Sequence, residues 1–128
     1  MKYMYTATFI TEDSTVYARV PDLPGCITTG KSLQEAINMI TDAASIWLVS
    51  AEDDNDPIPA ASDQSVLDVP EGATVSIIQI DTLAYRAAID TRAVRKNVSL
   101  PAWMANLADK KGLNCSQILQ EGLMAKLG

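Results

Sequence analysis

The 128 residues suffice for one ordinary domain or two small ones, and an apolar share of 48% excludes a disordered chain. The net charge of −6 conceals a division: residues 1–84 hold 3 Lys/Arg against 13 Asp/Glu (net −10), and residues 85–128 hold 7 against 3 (net +4). Such asymmetry points to an acidic module joined to a basic, nucleic-acid-facing one. Histidine is absent, so histidine-based acid–base chemistry is excluded. Cys26 and Cys115 lie one in each half without metal-ligand spacing, which argues against structural zinc and leaves two free thiols as the expectation. No apolar run reaches the roughly 18 residues of a membrane span, and the first residues lack the basic-then-apolar layout of a signal peptide. The expected location is cytoplasmic.

In chain order, Tyr3 to Ile10 reads as a strand, with Tyr3, Tyr5, Ala7 and Phe9 on one face. Glu12-Asp13-Ser14 supplies a turn, and Thr15 to Val20 follows at hairpin distance. Pro21-Asp22-Leu23-Pro24-Gly25 breaks the pairing, because proline cannot donate to a ladder and glycine admits positive φ. Cys26 to Thr29 has the makings of a short third strand. Ser32-Leu33-Gln34-Glu35 is a capping box, so a helix begins there. Its stripe of Leu33, Ala36, Ile37, Ile40, Ala43, Ala44, Trp47 and Leu48 is spaced to lie across the sheet, which assigns Trp47 to packing.

Glu52 to Pro70 reads as a polar surface connection, and Asp53-Asp54-Asn55-Asp56 lacks the spacing and glycine of an EF-hand loop. Thr74 to Ile80 returns to strand character. The pattern βββαβ over about eighty residues predicts an α+β class, an antiparallel sheet covered by one helix. Thr82 to Thr91 is a mixed segment with some helical character, and residues 83–91 read as a linker between a module at 1–82 and a second at 92–128.

In that second module the run Val94 to Pro101 alternates strictly. Val94, Lys96, Val98 and Leu100 point one way, and Arg95, Asn97 and Ser99 the other. A guanidinium, an amide and a hydroxyl on one strand face suit base edges in a major groove, which a two-stranded ribbon can enter. Pro101 stands at the expected first position of a helix carrying Trp103, Met104, Leu107 and Ala108, stopped at Gly112. Asn114, with Gln117 three residues on, caps a second helix whose stripe is Ile118, Leu119, Gly122, Leu123 and Leu127. Strand, helix, helix in about 35 residues cannot enclose a core alone, so this module requires a homodimer; whether dimers pair further into tetramers stays open. Arg95 suits guanine and Asn97 adenine, whereas Ser99 discriminates little; Lys96 faces the other way, toward the ribbon edge or phosphate. The backbone N–H groups of Asn114, Cys115 and Ser116, at the start of the second helix, suit a phosphate.

Tyr5-Thr6-Ala7-Thr8-Phe9, then Val20-Pro21-Asp22-Leu23-Pro24-Gly25-Cys26-Ile27-Thr28-Thr29-Gly30, then Ser32-Leu33-Gln34-Glu35-Ala36 resemble the HicB antitoxins of bacterial HicA/HicB toxin–antitoxin pairs. Asp56-Pro57-Ile58-Pro59 and Asn97-Val98-Ser99-Leu100-Pro101 fit as well, so the resemblance covers nearly the whole chain. It implies a partly degenerate RNase H-like front domain that covers a small mRNA-cleaving HicA toxin, and a C-terminal domain that binds the operator of its own operon. Family members carry either helix-turn-helix or ribbon-helix-helix at that end, and this chain reads as the second kind.

An active RNase H site needs several carboxylates converging on two magnesium ions, one typically in mid first strand, where this chain has Tyr5-Thr6-Ala7-Thr8. Asp22 and Glu35 are explained by a turn and a helix cap. No catalysis, metal or cofactor is therefore expected. Two functions remain open at this point. One is a toxin-neutralising autorepressor; the other is a ribbon-helix-helix transcription regulator whose front domain senses a small ligand or another protein.

Overall fold

The computed structural model describes all 128 residues, which divide into two compact units, Met1–Arg86 and Ala87–Gly128. The front unit contains β1 (Lys2–Glu12), β2 (Thr15–Arg19), β3 (Ile27–Gly30), α1 (Leu33–Asp54), β4 (Thr74–Asp81) and α2 (Thr82–Ile89), the last continuing three residues into the second unit. The α+β class and the βββαβ order read from the pattern are both present. The sheet is antiparallel throughout, in the order β3-β2-β1-β4. The last strand made therefore lies beside the first.

Asp13 and Ser14 turn the β1–β2 hairpin with φ of 49° and 64°. Positive φ at both central residues matches the twist of the flanking strands. The register sets Glu12 opposite Thr15 and Thr8 opposite Arg19. Tyr5, Ala7 and Phe9 consequently face one side with Val16, Ala18, Ile78 and Ile80, and α1 covers them with Ala36, Ile40, Ala44 and Leu48, all four fully buried. Alanines alternating with large residues let the helix lie close to the sheet.

That closeness is greatest at Gly30. A Cβ there would sit 2.6 Å from the backbone nitrogen of Ala36, in the first turn of α1. Ser32 caps the helix as the motif requires: its backbone is extended, and its side chain accepts from the Glu35 N–H at 3.1 Å.

The Pro21–Gly25 segment is a compact loop rather than a simple break. Leu23 N–H donates to Val20 carbonyl, Cys26 N–H to Leu23 carbonyl, and Val20 N–H to Cys26 carbonyl. Leu23 and Cys26 are thereby folded into the core. Trp47 clamps the loop from α1, its indole N–H donating to the Pro24 carbonyl at 2.9 Å.

The structure corrects one boundary of the pattern. Helix α1 runs on through Glu52, Asp53 and Asp54 to a left-handed cap at Asn55, where the sequence suggested a surface connection from Glu52. Ala51 still belongs on the buried face, and Glu52 is anchored by the Tyr3 hydroxyl at 2.8 Å, the Thr82 hydroxyl at 3.0 Å and the Arg86 guanidinium at 3.0 Å. Those partners are 30 to 49 residues away in sequence. The connection proper, from Asn55 to β4, contains a short 3-10 turn at Gln64–Val66 and is tied down by Asp22, which accepts from the Ser62 N–H and hydroxyl at 2.8 and 2.6 Å.

The second unit contains α3 (Ala102–Lys110) and α4 (Cys115–Leu127). Pro101 is the N-cap of α3 rather than its first helical residue, with ψ of 140° and its carbonyl accepting from Met104 and Ala105. Gly112, at φ +65°, ends the helix turn by a donation from Leu113 N–H to Ala108 carbonyl.

Candidate nucleic-acid interface and partner-binding face

Residues 90–101 form no regular element within the single chain. A strand is defined by its ladder, and no other segment of residues 87–128 pairs with this one. The alternation of the run is nevertheless expressed in space. Lys96, Val98 and Leu100 line one groove together with Met104, Leu113 and Leu119, a cavity of about 380 Å³, whereas Arg95, Asn97 and Ser99 are exposed and outside its lining. The three candidate base-reading groups are thus separated from the apolar positions. Lys96 belongs with the groove.

The groove is one part of a wider deficit. No residue from Ala87 to Gly128 is buried, and Ala105 and Ala108 are the sole half-buried ones. Trp103, Leu107, Leu113, Ile118 and Leu123 are each 48–63% exposed. Burying one such side chain is worth about 1.5–3 kcal/mol, so a unit of this kind gains most of its stabilisation from whatever covers it.

At the start of α4 the Asn114 side chain accepts from Gln117 N–H at 3.1 Å. Of the first-turn donors, Gln117 is therefore occupied by the cap, and the N–H groups of Cys115 and Ser116 are the ones left to an incoming anion. Asn114 serves the helix through its side chain.

The front unit offers a different surface. Of its acids, Asp22 is engaged by Ser62, Glu35 is exposed in the first turn of α1, and Glu52 is held by Tyr3, Thr82 and Arg86. No group of three or more His, Cys, Asp or Glu is placed to hold a metal ion. The Tyr3 hydroxyl is pushed up to about 12, first by burial and then by its donation to Glu52. Burial opposes ionisation of Glu52, but the hydrogen bonds from Tyr3, Arg86 and Thr82 outweigh it and hold the carboxyl below its usual range. These shifts belong to a clamp joining β1, the end of α1 and the start of α2. The Cys26 thiol is pushed up to about 11 by burial and is a core group.

The sheet face turned away from α1 has apolar side chains in the open: Met4, Tyr17, Ile27 and Ile77 are 45–62% exposed around the buried Thr6 and Thr8. No partner-contact residue of this unit stands out in the sequence, and this exposed apolar face is a candidate contact surface. It was legible in principle, since Met4, Tyr17 and Ile77 alternate with core positions on strands already identified. No helix of the chain is long and apolar enough to cross a membrane.

A family model described as HicB_like antitoxin of bacterial toxin-antitoxin system matches residues 5–127. Among solved structures, the chain is similar to one of a toxin–antitoxin complex from Streptococcus pneumoniae, at 22% identity and TM-score 0.61, covering 98% of this chain and 99% of that one. It is similar to the antitoxin HicB of Burkholderia pseudomallei at 18% identity and TM-score 0.55, covering 98% of each chain. A chain of the HicA3 and HicB3 toxin–antitoxin complex matches at 19% identity and TM-score 0.51, covering 61% of this chain and 98% of that one. At these identities the likeness is one of fold. No curated protein matches the chain by sequence. With the family model spanning nearly every residue, the chain belongs to the HicB-like antitoxin family of bacterial toxin–antitoxin systems.

Proposed function

We propose that this chain neutralises a HicA-like mRNA-cleaving toxin through its front portion, residues 1–82. We further propose that residues 92–128, joined to it by 83–91, pair as a ribbon-helix-helix dimer that binds operator DNA and represses the chain's own operon. The observation that carries the second part is the second unit itself, in which no residue is buried and an apolar groove is lined by Val98 and Leu100 beside α3 and α4. Two copies laid antiparallel along Val94–Leu100 would supply the missing ladder and cover both grooves. The same pairing would bring Arg95, Asn97 and Ser99 of each copy onto one outward face, which fits a major groove, with Cys115 and Ser116 N–H groups and Lys96 near phosphates.

The first part is supported by family membership and by charge. Residues 1–86 hold 13 acids against 4 Lys/Arg, a surface suited to a basic, RNA-handling partner. In this reading the front portion is a degenerate RNase H-like fold that binds and performs no cleavage. The test is co-expression with the product of the neighbouring reading frame. That product is expected to arrest growth alone and to be harmless with this chain; arrest that persists in the presence of the chain would overturn the antitoxin reading.

A further inference from the structure

Helix α1 holds five acids, Glu35, Asp42, Glu52, Asp53 and Asp54, and no Lys or Arg. Arg86 pairs with Glu52 and Asp53, whereas Glu35, Asp42 and Asp54 are exposed without an ion pair. Ala36, Ile40, Ala44 and Leu48 turn toward the sheet. On the opposite side of the helix, Glu35, Met39, Asp42, Ile46, Ser50 and Asp53 recur at steps of three and four residues, which sets them in one stripe roughly 27 Å long. The solvent side of a surface helix is ordinarily polar throughout. Here Met39 and Ile46, two turns apart in the middle of the stripe, are 45% and 49% exposed. Beside Ile46 the surface sinks into a hollow of about 360 Å³, lined by Ala43, Trp47 and Ser50 of α1 and by Gly25 and Cys26.

We propose that this stripe of α1 is the surface to which the toxin binds, with Met39 and Ile46 seated in an apolar patch of the toxin and Glu35 and Asp42 pairing with Lys or Arg around it. The proposal rests on the antitoxin reading above and locates its contact. Charge selects the occupant. By strand alternation the open face of the sheet carries Lys2, Arg19, Glu12 and Asp81, two of each sign, and so holds no bias toward a basic partner. The α1 stripe is acidic along its length. It repels nucleic acid and the same stripe of a second copy, and it attracts a cationic protein surface. Apolar residues at the middle with charge around them is also the layout of a specific protein contact. The hollow beside Ile46 is set before any partner arrives, because the Trp47 indole that lines it is already tied to the Pro24 carbonyl.

The experiment titrates the purified product of the neighbouring reading frame into the full chain by calorimetry, at low and at high salt. The parent is compared with Ile46→Lys, Met39→Lys and Ile46→Met, and with Ile77→Lys on the open sheet face. Ile46→Lys and Met39→Lys are each expected to weaken binding by about thirtyfold or more, the loss typical of an interface anchor, with Tm unchanged. Ile46→Met, still apolar, is expected to keep the parent's affinity, and that affinity is expected to fall as salt rises. Should Ile46→Lys lower the Tm, Met39→Lys decides alone. Parent-like affinity of the Lys variants on α1 overturns the proposal and leaves the antitoxin reading in place, whereas a parent that does not bind at all overturns both. A loss by Ile77→Lys without one by Ile46→Lys moves the toxin to the sheet face and overturns the α1 surface. An affinity indifferent to salt removes charge as the selector and overturns it as well.

Discussion

Glu52 accepts from three side chains contributed by two other elements, Tyr3 of β1 and Thr82 and Arg86 of α2, while Arg86 also pairs with Asp53 at 2.9 Å. A carboxylate held below its ordinary range stabilises the fold fully above its unfolded value of about 4.5 and loses that contribution as pH falls through the lower folded value. Glu52→Gln is therefore expected to cost about 1–3 kcal/mol at neutral pH and to flatten the loss of stability below pH 4.5. Urea unfolding of both proteins at pH 7 and near pH 3 checks this; parallel losses on acidification would place the acid sensitivity elsewhere. At Arg95 the expectation concerns binding. If the exposed guanidinium reads a base, Arg95→Ala should weaken specific operator binding by about 1–3 kcal/mol and leave toxin neutralisation intact. Equal affinities of variant and parent at fixed salt would remove Arg95 from base reading.

Elements in this chain are set by local chemistry at their starts and by distant contacts at their ends. The hairpin at Asp13-Ser14, the Ser32 cap and the Asn114 cap were legible because each needs only neighbours within a few residues. The end of α1 was not: Glu52, Asp53 and Asp54 look like loop until Tyr3, Thr82 and Arg86 are brought to them. The alternation of Val94–Leu100 could be read, but a ladder needs a second strand and this chain supplies one copy. The requirement at Gly30 was likewise invisible, since the clash is with the backbone of a helix six residues on. Gly30→Ala is expected to destabilise the front unit by about 1–3 kcal/mol, because backbone rather than a flexible side chain must move. A thermal melt reads the change, and an unaltered Tm would mean that α1 shifts freely on the sheet.

For the whole molecule, the two units differ in what they need. The front unit encloses its own core, with no buried side-chain N or O left unpartnered, so residues 1–86 alone are expected to unfold cooperatively and to bind the toxin but not the operator. Calorimetry and pull-down on the truncated chain check both; a folded fragment that fails to bind toxin would carry the interface into residues 87–128.

The neighbouring places of β1 and β4 also fix an order in time. The sheet cannot close until Asp81 has been synthesised, since its central strand waits for a partner about seventy residues later. At ribosomal rates of about 5–20 residues per second, the rest of the chain takes roughly 2–9 s. The front unit can close within a single nascent chain, at a rate indifferent to how many others are present. If the second unit pairs with another copy as proposed, its assembly instead waits for an encounter between finished molecules and rises with the square of their concentration.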